Sequence, residues 1–345
     1  MGLVTCTIEG GESAPALSAQ PSLGHAERLV SPVLVADIGG ATTRFGVVYG
    51  GGELRDVSTI VHDNSATLEE AIGRYLWEYQ VRPHAAILAV AAPIIGDEIA
   101  IANRTWRFRL SALKTQFGFT MLRAVNDLEA VAYAVAARRD CEMRPLGAEM
   151  PAGSGALAVL GSGTGLGVAA VLPLEGAGWH VVPSEGGHIS FGPMSPEEEV
   201  VFRRMRDRYG RISAAVLSGP GLALLYLAHA PAAQQIDSVE ILRRATAGDE
   251  AARACLNMYV RLLGRFAGDV ALMFKATGGV YISGGVASGL GDFLDAGIFR
   301  TAFEAHPPYA NLMAHIPSFL VTCSEAGLLG CAALAELWLR EQQPI

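Results

Sequence analysis

The stretch SPVLVADIGGATTRFGVVY, Ser31 to Tyr49, reads as two strands joined by a glycine turn. The first strand is an apolar run ending at Asp37, and a short apolar run bounded by a turn marks a buried strand. Gly39 and Gly40 reverse the chain, Thr42 and Thr43 supply two hydroxyls, and a second strand starts at Arg44. The same layout returns in LAVLGSGTGLGVAAVLP, Leu157 to Pro173, where Gly161, Gly163, Gly165 and Gly167 surround the turn and Thr164 lies among them. A pattern stated twice in one chain predicts two similar halves, each offering a glycine hairpin. A third glycine pair, Gly284–Gly285, closes the apolar run that begins at Gly279.

Outward from the first hairpin, strands alternate with helices, which predicts an α/β chain. Leu54 to Val61 reads as a third strand. Thr67-Leu-Glu-Glu70 is a capping box, followed by an apolar stripe of Leu68, Ile72, Tyr75 and Leu76. Ala85 to Ala92 is a buried strand closed by Pro93, Asn103-Arg-Thr-Trp106 lies in a loop, and Ser111 to Phe117 is a short helix. Met121 to Val125 reads as another strand, leading into Asn126–Asp127. Behind that pair Leu128, Val131, Ala132 and Val135 fall at i, i+3, i+4 and i+7, so a helix begins at Asp127. Asn and Asp side chains accept hydrogen bonds from first-turn N–H groups, so locally the pair reads as a helix cap. The end of a strand opening into a helix is also the usual place for a ligand in an α/β protein.

Residues 138–155, carrying Arg, Pro, Gly and Ser, read as the passage to a second domain. Ser195-Pro-Glu-Glu198 starts a helix, with a cap, a proline at its first position and acids in its first turn. Ser218-Gly-Pro-Gly221 precedes another, residues 237–275 are largely helical, and the last helix starts near Gly327. The expected organisation is a loose extension over 1–30, a small α/β domain of 31–137 plus 326–345, and a large α/β domain of 138–325.

Half of the 345 residues are hydrophobic, 40 are glycine and only 17% are charged, which fits a compact α/β enzyme. A net charge of −8 and the absence of any Lys/Arg run argue against nucleic acid or an anionic membrane as partner. No apolar run is long enough to predict a membrane span. Residues 1–30 lack the basic start and apolar block of a signal peptide. Five scattered cysteines with no CxxC argue against a disulfide framework and suit a reducing cytoplasm.

A polyanion is held largely by backbone N–H groups, and glycine lets the chain approach closely enough to donate them. Three glycine turns after apolar strands would surround one nucleotide, with Thr42, Thr43 and Thr164 adding hydroxyl donors. The dinucleotide fingerprint G-x-G-x-x-G fails, because Leu166 stands where the third glycine belongs. A Walker A loop is excluded too, since Lys114 and Lys275 are the only lysines and neither follows a glycine. Phosphoryl transfer to a hydroxyl needs positioning, metal-assisted charge neutralisation and a carboxylate to take the proton. Asp127 is a reasonable base, and Asp37, just before the first turn, a reasonable partner for Mg²⁺. Asp37 reads equally as a strand-end residue that bonds the turn.

Taken together, ADIGGATTR, NRTW, VND, LGSGTGLGVA, SEGGH, VLSGPGL, GGVYISGGV and the late GLLG follow one another as in a known family. The chain resembles the bacterial ATP-dependent glucokinases of the hexokinase–actin-like superfamily, from about residue 32 to about residue 337. The resemblance implies a two-domain actin-like, ribonuclease H-like α/β ATPase fold with a cleft between a small and a large domain. It also implies ATP and Mg²⁺, and transfer of the γ-phosphate to the 6-hydroxyl of a hexose, glucose above all. By position Asp127 would be the base and Asn126 a sugar hydrogen bonder. Glu185 and His188 would hold the sugar's other end, and Asn103 would join the substrate site. Gly39, Gly40, Thr42, Thr43, Gly161, Gly163, Thr164, Gly165, Gly284 and Gly285 would hold the nucleotide, with Asp37 on the metal. The resemblance also points to a homodimer. The related repressor/kinase family places zinc-binding cysteines after its Glu-Gly-His segment; none follows here, so no structural zinc is expected.

Two positions depart from the family pattern. The first turn reads GGAT where GGTN is usual, so Ala41 lacks a hydroxyl. Before VLSGPGL the usual Glu is missing, and the chain reads Arg211-Ile-Ser-Ala-Ala215. A site deprived of one hydrogen-bond partner forfeits about 1–3 kcal/mol. That predicts a raised KM or admission of a sugar differing at C1 or C2. A kinase for another sugar or aminosugar therefore stands as an alternative, as does a weakened sugar-binding sensor.

Overall fold

The computed structural model describes residues 32–341 except 41, 51, 63–64, 102–105, 138–140, 175–177 and 232. The first hairpin forms where the sequence places it, as β1 (Val33–Ile38) and β2 (Thr42–Val48), with β3 (Leu54–Val61) beside it. The helix α1 (Leu68–Glu78) is capped by Thr67, whose hydroxyl accepts from the Glu70 N–H, and the Glu70 carboxylate reaches back to the Ala66 N–H. Strand β4 (Ala85–Val90) follows, then a small antiparallel pair, β5 (Glu98–Ala100) and β6 (Arg107–Arg109). The short helix α2 (Leu110–Phe117) leads into β7 (Met121–Asn126) and α3 (Asp127–Ala137).

The second half begins with β8 (Met143–Pro145), inside the segment expected to be a plain passage. The second hairpin is β9 (Leu157–Ser162) and β10 (Leu166–Leu174), followed by β11 (Gly178–Ser184). Four helices come next: α4 (Pro196–Tyr209), α5 (Gly219–His229), α6 (Ser238–Thr246) and the long α7 (Glu250–Phe274). After β12 (Gly279–Ser283) come α8 (Gly285–Gly289), α9 (Ala296–Glu304), α10 (Ala310–Ala314), β13 (Ser318–Val321) and the last helix, α11 (Ala326–Glu341).

The two sheets repeat one plan. In the first, order β3-β2-β1-β4-β7, three antiparallel strands continue into two parallel ones. The second runs β11-β10-β9-β12-β13-β8, with the same three antiparallel and two parallel strands plus β8 on its edge. The duplicated hairpin in the sequence is thus the visible part of a duplicated sheet.

Three cores hold this arrangement. Leu68, Ile72 and Tyr75 of α1 pack on one face of the first sheet with Leu34, Ile38 and Phe45. On the second sheet, α7 buries Tyr259, Leu263 and Phe266. The third core lies between the sheets: Val35 and Ile87 meet Val159 and Val171 through Leu128, Val135, Leu328 and Leu334 of α3 and α11. Helix α11 packs on α3 and on β1 of the first sheet. Among the described residues, no helix is long and apolar enough to cross a membrane.

Candidate active site

The carboxyl ends of β1, β7 and β9 bring the candidate residues together. Asp37 lies directly opposite Arg44 in the β1–β2 register, and the guanidinium stands 3.7 Å from its carboxylate. Burial pushes the Asp37 pKa up to about 6, Arg44 opposes that rise and the charge of Asp127 adds to it. The first turn of α11 also abuts this carboxyl, since a Cβ on Gly327 would sit 2.7 Å from it. In the glycine turn itself the Gly39 N–H bonds the Thr42 carbonyl at 3.0 Å, and a Cβ on Gly40 would face open space. Thr42 and Thr43 part company because side chains alternate along a strand. Thr43 is fully buried and bonded to His62 Nε2 at 2.8 Å, so its hydroxyl is already engaged in the interior.

The second turn is tightened by a Gly163 N–H bond to the Gly165 carbonyl, and it exposes Thr164 and Gly165. A Cβ on Gly163 or Gly165 would meet nothing within 4 Å. Gly161 and Gly167 serve packing instead: a Cβ on either would press on Leu128 of α3 at 2.7 Å. The third turn leans on the second. Gly284 has φ +99° and backs onto the Ser162 carbonyl, where a Cβ would sit 2.3 Å away, while Gly285 is exposed and open. The N-terminus of α5 joins them through the Gly219 N–H, bonded to the Gly163 carbonyl at 2.8 Å.

Asp127 opens α3, and its location carries more than a cap. The Leu128 N–H is shared by Asp127 Oδ1 at 2.8 Å and Asn126 Oδ1 at 2.9 Å. The Asn126 amide also donates to the Ala92 carbonyl at 3.4 Å. Burial raises the Asp127 pKa, these hydrogen bonds oppose the rise, and the charge of Glu185 adds to it. Asp127 thus lies within electrostatic reach of Asp37 at the end of the first sheet and of Glu185 beside the second.

Glu185 and His188 flank a tight turn over Gly186–His188, closed by the His188 N–H on the Glu185 carbonyl at 2.9 Å. Both side chains are exposed. The turn sits flush on β10, because a Cβ on Gly187 would lie 1.7 Å from the Leu166 carbonyl. Arg211, from the segment that lacks the usual acid, ties the far side of this turn. Its guanidinium bonds the His188 carbonyl at 3.3 Å and Ser190 Oγ at 3.0 Å.

Asp37, Asn126, Asp127 and Glu185 therefore lie within electrostatic or hydrogen-bond reach of one another, with the glycine turns nearby at Gly39–Gly40 and against Leu128. Asn103 lies outside the described residues. Sequence reasoning passed over Arg44, Gly327 and Arg211. Arg44 carries a signal in hindsight, since a charge opposite Asp37 follows from the hairpin register; the other two depend on contacts far apart along the chain.

The glucokinase family model matches residues 34–337. The chain belongs to the glucokinase family. A glucokinase from Chromohalobacter salexigens is 39% identical over 314 residues, covering 89% of this chain and 98% of that protein. The bifunctional protein glk of Burkholderia lata is 35% identical over 332 residues, covering 94% of this chain and 50% of that protein. The chain thus spans about half the length of that relative. The crystal structure of a glucokinase from an Antarctic psychrotroph superposes with a TM-score of 0.79 at 31% identity, covering 88% of this chain and 98% of that one. The fold is accordingly the actin-like ATPase fold of the glucokinase family.

Proposed function

We propose that this chain transfers the γ-phosphoryl group of ATP to the 6-hydroxyl of a hexose, glucose in first place. The observation that carries the reading is Asp127, a half-buried carboxylate fixed by the Leu128 N–H at a strand–helix junction, where burial raises its pKa and the charge of Glu185 adds to the rise. Catalytic bases work best when their pKa is brought toward the operating pH. Asp127 accepts the hydroxyl proton as the sugar oxygen attacks phosphorus. Asn126 holds the sugar, while Glu185 and His188 fix the sugar's far end.

The glycine turns suit a triphosphate. Gly40, Gly165 and Gly285 have open space where a Cβ would project, so a ligand can approach the backbone there. Asp37 fits a divalent cation: it is a half-buried carboxylate that Arg44 only partly compensates at 3.7 Å. Among the described residues no group of three His, Cys, Asp or Glu gathers for a metal. Mg²⁺ at nucleotide sites needs no such group, since one or two carboxylates and the phosphates suffice. When bound there, Mg²⁺ would offset the phosphate charge. The four described cysteines are free thiols, which supports a cytoplasmic setting.

The deciding experiment offers MgATP and a panel of hexoses, aminosugars and polyols to the purified protein. ADP should form only with a hexose, with the highest kcat/KM for glucose. A higher value for an aminosugar would favour the alternative substrate that the missing acid before Val216 leaves open. Sugar-induced thermal stabilisation without ADP would favour the sensor.

The phosphate cradle has its own test. Gly165→Ala adds a methyl that touches nothing in the free protein, so the thermal midpoint should stay within about 2 °C. A bound triphosphate would occupy that space. Loss of one charge-assisted N–H bond, about 1.5–3 kcal/mol, should raise KM for ATP roughly ten- to a hundredfold. An unchanged KM would remove the second turn from the nucleotide site.

A further inference from the structure

The chain passes between its two sheets twice among the described residues: forward from α3 to β8, and back from β13 to α11. These passages are bonded to each other. The antiparallel register Leu320↔Arg144 and Val321↔Met143 continues through Thr322, whose N–H and hydroxyl both donate to the Glu142 carbonyl at 3.0 Å. One step further, the register sets Cys323 opposite Cys141. The two thiols lie close enough to interact electrostatically. Both are free, partly exposed and packed against the core between the sheets.

We propose that Cys141 and Cys323 are a redox-responsive dithiol, closed into a disulfide by small-molecule disulfides, that locks the two passages between the halves. Directly opposed residues at a non-hydrogen-bonded antiparallel position have Cα atoms about 4.5 Å apart, within the range a disulfide accepts. The Thr322–Glu142 bonds put the hydrogen-bonded pair one residue away, so the cysteines take the closer position. Burial holds the Cys141 thiol above the ordinary thiol range; exchange opens at either cysteine, and in one order Cys323 goes first. Its thiolate attacks one sulfur of a low-molecular-mass disulfide, that S–S bond breaks, and one small thiolate leaves. Cys141 then gives up its proton and attacks the Cys323 sulfur, expelling the second half of the reagent. Two protein thiols are oxidised, one small disulfide is reduced, and both protons end on the released thiols. Cys255 and Cys331 are buried in separate surroundings and take no part.

The effect on turnover rests on the kinase reading, in which the two halves close over the sugar. A bond across both passages stiffens the backbone that must flex for closure.

The test uses the full chain carrying Cys6→Ser, incubated with glutathione disulfide. Mass spectrometry of the unreduced digest should show the Cys141–Cys323 peptide pair, and the thermal midpoint should rise. In the reduced protein glucose should compact the particle in solution scattering; in the oxidised protein it should not, and kcat should fall at least fivefold, recovering with dithiothreitol. A Cys141→Ser protein should show none of these changes. Absence of the linked peptide, or a linked protein that still compacts and turns over normally, overturns the proposal. Reduced protein inactive on every sugar would sink the kinase reading alone, with linkage and thermal shift still judging the dithiol.

Discussion

Asp127→Asn should lower kcat about a thousandfold or more with little change in fold, read by steady-state kinetics and near-ultraviolet circular dichroism. The amide oxygen can still accept from the Leu128 N–H, now bonded to Asp127 Oδ1 at 2.8 Å, so the start of α3 is preserved. What is lost is the capacity to take a proton. Near-normal turnover in this variant would refute the base assignment. The pH profile gives a second reading of the same group. A base works when ionised and the Asp127 pKa is raised, so kcat/KM should fall as pH drops through an apparent pKa above the usual carboxylate range. Glu185 contributes to that rise by its negative charge. Glu185→Gln should therefore move the acid limb toward lower pH, whatever it also does to KM for the sugar. A limb that stays in place would detach Glu185 from Asp127.

The sequence disclosed those parts of the fold whose signals are local. The Asp37–Gly39–Gly40 and Gly161–Gly165 hairpins could be read because glycine after an apolar run has few other uses, and Asp127 because strand periodicity stops there and helical periodicity starts. Strands β8 and β13 were not visible: three and four residues long, they pair across most of the second half and leave no pattern. Thr43 is placed by a nearer effect. It stands beside Thr42, but strand alternation turns it into the interior toward His62. Helix α3 was read as having one apolar face, whereas Leu128, Ala130, Ala132, Tyr133, Ala134, Val135 and Ala136 are all buried. A helix apolar on nearly every side is one packed on nearly every side. Its run of alanines was the available sign that it runs between the sheets.

That position brings the backbones of α3 and α11 into close contact, and Gly330→Ala tests it. A Cβ on Gly330 would lie 1.7 Å from the Ala130 carbonyl oxygen and 2.3 Å from its carbon, both backbone atoms that no rotamer change can move. In an isolated helix this substitution stabilises by about 1 kcal/mol. Here the helices must separate, and overpacking of a well-fitted core costs about 1–3 kcal/mol or more. We expect a net loss of about 2–3 kcal/mol and a thermal midpoint lower by roughly 3–5 °C. The disturbance does not stay local. Leu128, two residues before Ala130, fills the space left by Gly161 and Gly167, and Gly327, one turn before Gly330, abuts Asp37. Separating the helices therefore shifts both the second glycine turn and the Asp37 carboxylate, so kcat should fall even at temperatures where the variant is folded. A variant as stable and active as the parent would mean that the two helices do not cross at this glycine, and the link between the two halves of the site would have to lie elsewhere.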